Sequence, residues 1–187
     1  RYLSNPQHLN VFSCKAVVFE GPEDYHKRLN DKKLKIDENS ILIVRGCGPV
    51  GYPGSAEVVN MQPPDRLLKK GIRHLPTLGD GRQSGTSESP SILHVSPESA
   101  VGGDLGIVKT GDKMKIDLNK RRVDLMISKT EFIKRRKNRK PFKFNNQTPW
   151  QEIFRNTVGQ LEDGACINSR GQYLDVSHTK GLPRDSH

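Results

Sequence analysis

Cysteine is scarce in this chain: Cys14, Cys47 and Cys166 are the only three among 187 residues. No two of them stand at the short C-x-x-C spacing of a zinc or redox site, so the expectation is three separate free thiols. An odd count with no secretory pattern at the start points to a reducing compartment, the cytoplasm or mitochondrion, and against secretion. Long apolar runs are also missing. The longest aliphatic stretch, Ile41-Leu42-Ile43-Val44, is far short of the roughly 20 residues that span a bilayer. There is no internal repeat. The chain opens on Arg1 rather than Met, and the expectation is that its natural N-terminus lies upstream.

Acidic residues fall short of basic ones, 21 against 31, for a formal charge of +10. Much of the excess lies in Lys129 to Lys143, where Lys134-Arg135-Arg136-Lys137-Asn138-Arg139-Lys140 is nearly all basic. Such a run can bind nucleic acid or an acidic surface. Aromatics are only 6% of the chain, few are interleaved with that run, and no nucleic-acid motif accompanies it. A solvated helix leading into a linker is therefore the favoured reading.

What remains is a polar but globular composition, 33% hydrophobic and long enough for one domain with a core. Seventeen glycines and twelve prolines announce many turns. Residues 11–19 read as a strand or two, and Gly21-Pro22-Glu23-Asp24 opens a short helix through Arg28. Ile41 to Val44 reads as a buried strand, short, apolar and β-branched. Pro63-Pro64-Asp65 opens a helix through Lys70 that Gly71 closes. Leu75–Leu78, Ile92–Val95 and Leu105–Lys109 read as strands, with His94 as a core histidine. Met114, Ile116 and Leu118, then Val123, Leu125 and Ile127, alternate with polar residues around Asn119-Lys120-Arg121, the pattern of a hairpin. Ser128 or Thr130 caps the basic helix. Thr148-Pro149-Trp150-Gln151 has the residues of a helix start, and Trp150, Ile153, Phe154, Val158 and Leu161 give that helix an apolar stripe. The predicted class is β-rich α/β, a barrel-like sheet with flanking helices.

Two loops carry candidate chemistry. Gly79-Asp80-Gly81-Arg82-Gln83-Ser84-Gly85-Thr86 follows a predicted strand and sets a serine among glycines, where backbone N–H groups suit a small anion. Glu57 follows the Gly/Pro-rich loop Gly46 to Gly54. That loop matches G-x-G-x-x-G at Gly46, Gly48 and Gly51, but Pro49, Pro53 and Gly54 leave no room for the helix that a dinucleotide site needs. Ser84 is not a nucleophile elbow either, because Arg82 and Thr86 stand where that motif has glycine.

The ordered motifs Gly48-Pro49-Val50-Gly51-x-Pro53-Gly54-x-x-Glu57, Gly79-Asp80-Gly81-Arg82-x-Ser84-Gly85, His94-Val95-Ser96-Pro97-Glu98-Ser99-Ala100-x-Gly102-Gly103, Val108-x-x-Gly111-Asp112 and Arg121-x-x-Asp124-Leu125 resemble the C-terminal domain of the dihydroxy-acid and sugar-acid dehydratase family. Ser84-Gly85-Thr86, Gly48-Pro49-Val50-Gly51 and the segment Leu161-Glu162-Asp163-Gly164-Ala165 look more like its aldonate branch. The resemblance implies a swivelling β/β/α domain over residues 1–144, with 145–187 as linker, C-terminal helix and polar tail. It implies a hydro-lyase that turns a 2,3-dihydroxy acid into a 2-keto acid with an iron–sulfur cluster, 2Fe-2S as the working assignment, and magnesium.

Under that resemblance Ser84 is the base, Gly85 and Thr86 hold substrate, and Glu57 is the magnesium ligand. The cluster's cysteines belong to the family's N-terminal domain, which is absent here, so the three thiols are not assigned to it. Partners implied are a small sugar acid or dihydroxy acid, the N-terminal domain of the same enzyme, and copies in a homodimer or homotetramer, with neither membrane nor nucleic acid. The alternatives are the dihydroxy-acid dehydratase of branched-chain amino-acid synthesis, a catalytically silent homologue serving as a binding module, or nucleic-acid binding through the basic run. Gln83 and Glu88-Ser89-Pro90 depart from the family pattern around the serine, which leaves the substrate open.

Overall fold

A computed structural model describes residues 10–54, 57, 60–83 and 90–167. Its centre is one mixed six-stranded sheet in the order β4-β3-β2-β1-β5-β6 that curves into a half-barrel. β1 (Val11–Glu20), β2 (Ser40–Arg45), β3 (Thr77–Gly79) and β4 (Ser91–Ile92) run parallel. β5 (Lys113–Asp117) pairs antiparallel with β1, and β6 (Arg122–Leu125) with β5. The helices are short: α1 (Pro22–Arg28), α2 (Asp65–Leu68), α3 (Lys129–Lys137) and α4 (Pro149–Thr157).

The sheet works because side chains alternate across it. Phe12, Cys14, Ala16 and Val18 of β1 join Ile41, Ile43, Leu78, Met114 and Ile116 in one core. Val17 and Phe19 join Leu42, Val44, Tyr25, Leu67 and Leu75 in the other. Central parallel strands are covered on both faces and so read as unbroken apolar runs. That explains Ile41 to Val44. The β5–β6 wing is covered on one face only, so Met114 and Ile116 are buried while Lys113 and Lys115 lie in solvent.

The hairpin, α1 and the caps appear where the sequence places them. The Ser128 hydroxyl accepts the Glu131 N–H, and Thr148 accepts the Gln151 N–H. The Gln151 side chain reaches back to the Gln147 N–H.

Two readings are corrected. Leu105–Lys109 is no strand, since Asp104–Ile107 forms a 3₁₀ turn. The edge of β1 is already filled by β5, and Arg45 takes the Leu105 and Val108 carbonyls that a strand would have paired. The Ile92–Val95 strand stops at Ile92, because His94 turns to φ +58° and stands exposed rather than in the core. The helix predicted from Thr148 forms as α4, and Trp150 and Ile153 of its apolar stripe are exposed. Among the described residues no helix is long and apolar enough to cross a membrane.

Candidate active site

Parallel strands leave their C-terminal ends side by side, and open α/β sheets bind ligands there. Here β2 and β3 pair Val44 with Gly79, so the loops after them, starting at Gly46 and Asp80, emerge together.

Two fully buried carboxyl groups shape these loops. Asp80 accepts the N–H groups of Gly46 (3.0 Å), Cys47 (2.9 Å) and Ser99 (2.9 Å), as well as the Ser99 hydroxyl. Glu98 accepts the N–H groups of Val50 (2.9 Å) and Gly51 (2.8 Å). The Gln160 side chain clamps Glu98 from behind, donating to its carboxyl group and accepting its N–H. Arg155 grips the same two loop residues from their other side, at the Val50 (2.9 Å) and Gly51 (3.4 Å) carbonyls. Backbone groups with no ladder to join are thus satisfied by side chains, as burial demands.

This explains the glycines without a nucleotide. A Cβ at Gly48 would lie 2.5 Å from the Glu98 carboxyl group, and one at Gly51 would lie 2.5 Å from the Gly46 carbonyl oxygen. No helix starts in this loop, and α2 comes only at Asp65. The G-x-G-x-x-G match is therefore a packing signature. Asp80 and Glu98 stand inside the sequence motifs, but nothing local marks them as loop anchors. Only their burial does.

Glu57 is different. Its backbone bridges Arg82 in parallel fashion, joining the two loops. Its Oε1 accepts from the Arg82 guanidinium at 3.2 Å, with the two side chains 47% and 49% exposed. Ser84, Gly85 and Thr86 lie outside the described residues. Both flanks of their segment are visible, however. The Thr77 hydroxyl bonds the side-chain amide oxygen of Gln83 (3.3 Å) and the Ser91 hydroxyl (2.9 Å), tying the two ends to one buried point on β3. The structure therefore brings Glu57 beside the loop that leads to Ser84.

Magnesium takes hard oxygen ligands, commonly one or two carboxylates completed by water and substrate. Glu57 fits that role as a single contributed ligand: its half-exposed carboxylate already faces a cation, Arg82. Among the described residues no group of three or more His, Cys, Asp or Glu could hold a metal ion. The thiols do not fit an iron–sulfur cluster. Cys14 and Cys47 are buried in opposite cores and Cys166 is exposed. Burial pushes the Cys14 thiol up to about 12. Burial, with Asp80 nearby, raises the Cys47 thiol as well, so neither offers a thiolate.

The arginines of the basic run are engaged within the chain. Arg135 pairs with Asp112 and Glu131, Arg136 with Asp104, and Arg139 donates to the Gly102 carbonyl. These arginines fasten α3 to the turns before β5.

The chain is similar to known proteins along most of its length. A family model described as dihydroxy-acid/6-phosphogluconate dehydratase C-terminal matches residues 3–165. The chain belongs to this family. It is 54% identical, over all of its length, to D-xylonate dehydratase of Caulobacter vibrioides, of which it covers 31%. It is 48% identical over 96% of its length to L-arabinonate dehydratase of Rhizobium leguminosarum, covering 30% of that protein. Against a dihydroxy-acid dehydratase of Thermodesulfovibrio yellowstonii, identity is 37% over 81% of this chain, covering 27% of the relative. The chain thus spans about 30% of the length of these family members.

Proposed function

We propose that this chain is the C-terminal part of a hydro-lyase that dehydrates a sugar acid to a 2-keto acid. The observation that carries this is the match, end to end, to a D-xylonate dehydratase at 54% identity. The paired loops after β2 and β3 support it, because they set the half-exposed carboxylate of Glu57 beside the approach to the serine. The sugar-acid reading is favoured over branched-chain dihydroxy-acid chemistry by the higher identities, 54% and 48% against 37%.

In this reading Glu57 holds magnesium, whose charge would favour the ionised form of hydroxyl groups around it. Ser84 takes the proton from C2 of the acid. The 3-hydroxyl takes up a proton and departs as water, so that the proton lost from C2 is balanced, and the C2–C3 enol left behind tautomerises to the 2-keto acid. Serine is a weak base unless nearby cations and N–H donors stabilise its alkoxide, and a glycine-flanked loop is suited to supply the latter. Asp80 and Glu98 touch no reacting atom. They hold the loops in place. The iron–sulfur cluster that the family resemblance implies belongs, in this reading, to the N-terminal part of the enzyme, and the assembly to a homodimer or homotetramer.

The test uses full-length protein purified without oxygen, with 2-keto acid release measured on a panel of aldonates and on 2,3-dihydroxy-isovalerate. Turnover of an aldonate that Ser84→Ala abolishes, with the cluster's absorbance retained, is the expected result. Turnover of the isovalerate alone would move the protein to the branched-chain branch. No turnover of any acid by loaded enzyme would leave a silent homologue.

A further inference from the structure

We propose that Arg82 is an exchangeable counter-ion of Glu57: it holds the carboxylate when no divalent cation is bound, yields it to magnesium, and then offers its guanidinium to the carboxylate of the substrate. This rests on the dehydratase reading above.

Three observations carry it. First, the contact is a single one. One Arg82 nitrogen meets Oε1 of Glu57 at 3.2 Å, and Oε2 of Glu57 accepts nothing among the described residues. Second, the pair is not needed to hold the two loops together. The backbones of Glu57 and Arg82 already form a β-bridge, and the neighbouring Asp80 fastens the loop after β2 through the Gly46 and Cys47 N–H groups. Third, both side chains are about half exposed, and an ion pair in such a setting contributes little net stability. A hard divalent cation can therefore take the carboxylate at small cost.

The contrast with the more buried arginines Arg135 and Arg45 is instructive. Arg135 has two acidic partners and a carbonyl, and only 12% of its side chain is exposed. Arg45 pairs with Glu20 and donates to two carbonyls. Those cations are committed. Arg82 has Glu57 alone among the described residues, and it stands two positions before Ser84. Once displaced, it is a planar two-pronged donor at the mouth of the site, matched to a carboxylate. The substrate class is an acid, so the freed cation has a natural partner.

The experiment measures two quantities on full-length protein. Magnesium affinity is measured by calorimetry on metal-stripped protein without substrate, and KM and kcat on the aldonate that the wild type turns over. Glu57→Gln is expected to weaken magnesium binding at least tenfold. Arg82→Gln is expected to tighten it about two- to fivefold, the span of a half-exposed ion pair, while raising KM for the acid about tenfold. The double variant should bind magnesium no better than Glu57→Gln alone. Arg82→Lys keeps the charge but not the fork, so its magnesium affinity should stay within about twofold of wild type while KM still rises.

Unchanged or weaker magnesium binding in folded Arg82→Gln would overturn the inference, as would an unchanged KM in Arg82→Lys, which also decides the matter if Arg82→Gln does not fold. If Glu57→Gln leaves magnesium affinity intact, the assignment of Glu57 falls and the exchange with it. If Glu57→Gln weakens binding and Arg82→Gln does nothing, only the role of Arg82 falls.

Discussion

Three acidic residues serve the two loops of the candidate site, and they live in opposite settings. Asp80 and Glu98 are wholly buried and spend their oxygens on backbone N–H groups. Glu57 is half exposed and faces one arginine. The difference separates frame from chemistry. A carboxyl group saturated by amides in the interior cannot change partners without stranding those amides, whereas one at the surface exchanges partners cheaply.

The largest effect should come from emptying the frame. Asp80→Ala leaves the Cys47 and Ser99 N–H groups without their acceptor and the Gly46 N–H with the Ser99 hydroxyl alone, and should cost about 3–5 kcal/mol, read by chemical denaturation. An effect below about 1 kcal/mol would mean that water replaces the carboxyl group and that the frame is softer than its geometry implies. Next comes Gly81→Ala, whose new Cβ would lie 2.3 Å from the Cys47 carbonyl oxygen. It should cost about 1–3 kcal/mol by pushing the two loops apart, and thermal unfolding measures it.

A partly buried ion pair falls between the two settings. Burial pushes Asp112 up, but hydrogen bonds from Arg135 and the Lys109 N–H outweigh it and hold its carboxyl group below the ordinary aspartate range. A depressed value means stability that is present above the unfolded-state value near 3.9 and is lost as pH falls through the folded one. Asp112→Asn should therefore cost about 1–2 kcal/mol at neutral pH, and the gap to wild type should close as pH falls below about 4. Denaturation curves at neutral and acidic pH check this. A gap that persists in acid would assign the cost to packing rather than charge.

The smallest stability effect belongs to the exposed member. Glu57→Gln should change unfolding free energy by less than about 1 kcal/mol, yet under the proposed function it should remove most of the turnover. Denaturation and aldonate assays on one preparation test both halves. A large loss of stability would place Glu57 in the frame with Asp80 and Glu98.

Much of this was legible from local chemistry. The run from Ile41 to Val44, the alternation of Met114 and Ile116, and the caps at Ser128 and Thr148 depend on neighbours a few residues away, so periodicity and capping rules suffice. The ordered motifs were enough to place the chain in its family. Misreadings arose where a distant partner decides. Leu105 to Lys109 has the letters of a strand, but β1 had no free edge to offer it. His94 sits in an apolar string, yet a left-handed turn carries it out to solvent.

Within the site the same division holds. Residue type and spacing named Glu57 and Ser84 as candidates. They could not tell a framing acid from a free one, because Asp80, Glu98 and Glu57 all stand in glycine-rich loops with similar neighbours. Burial separates them, and burial is set by contacts 33 residues apart for Asp80 with Cys47 and 62 apart for Glu98 with Gln160. Local pattern is written into consecutive side chains. The solvent exposure of a carboxylate, and so its freedom to do chemistry, exists only after the chain has folded around it.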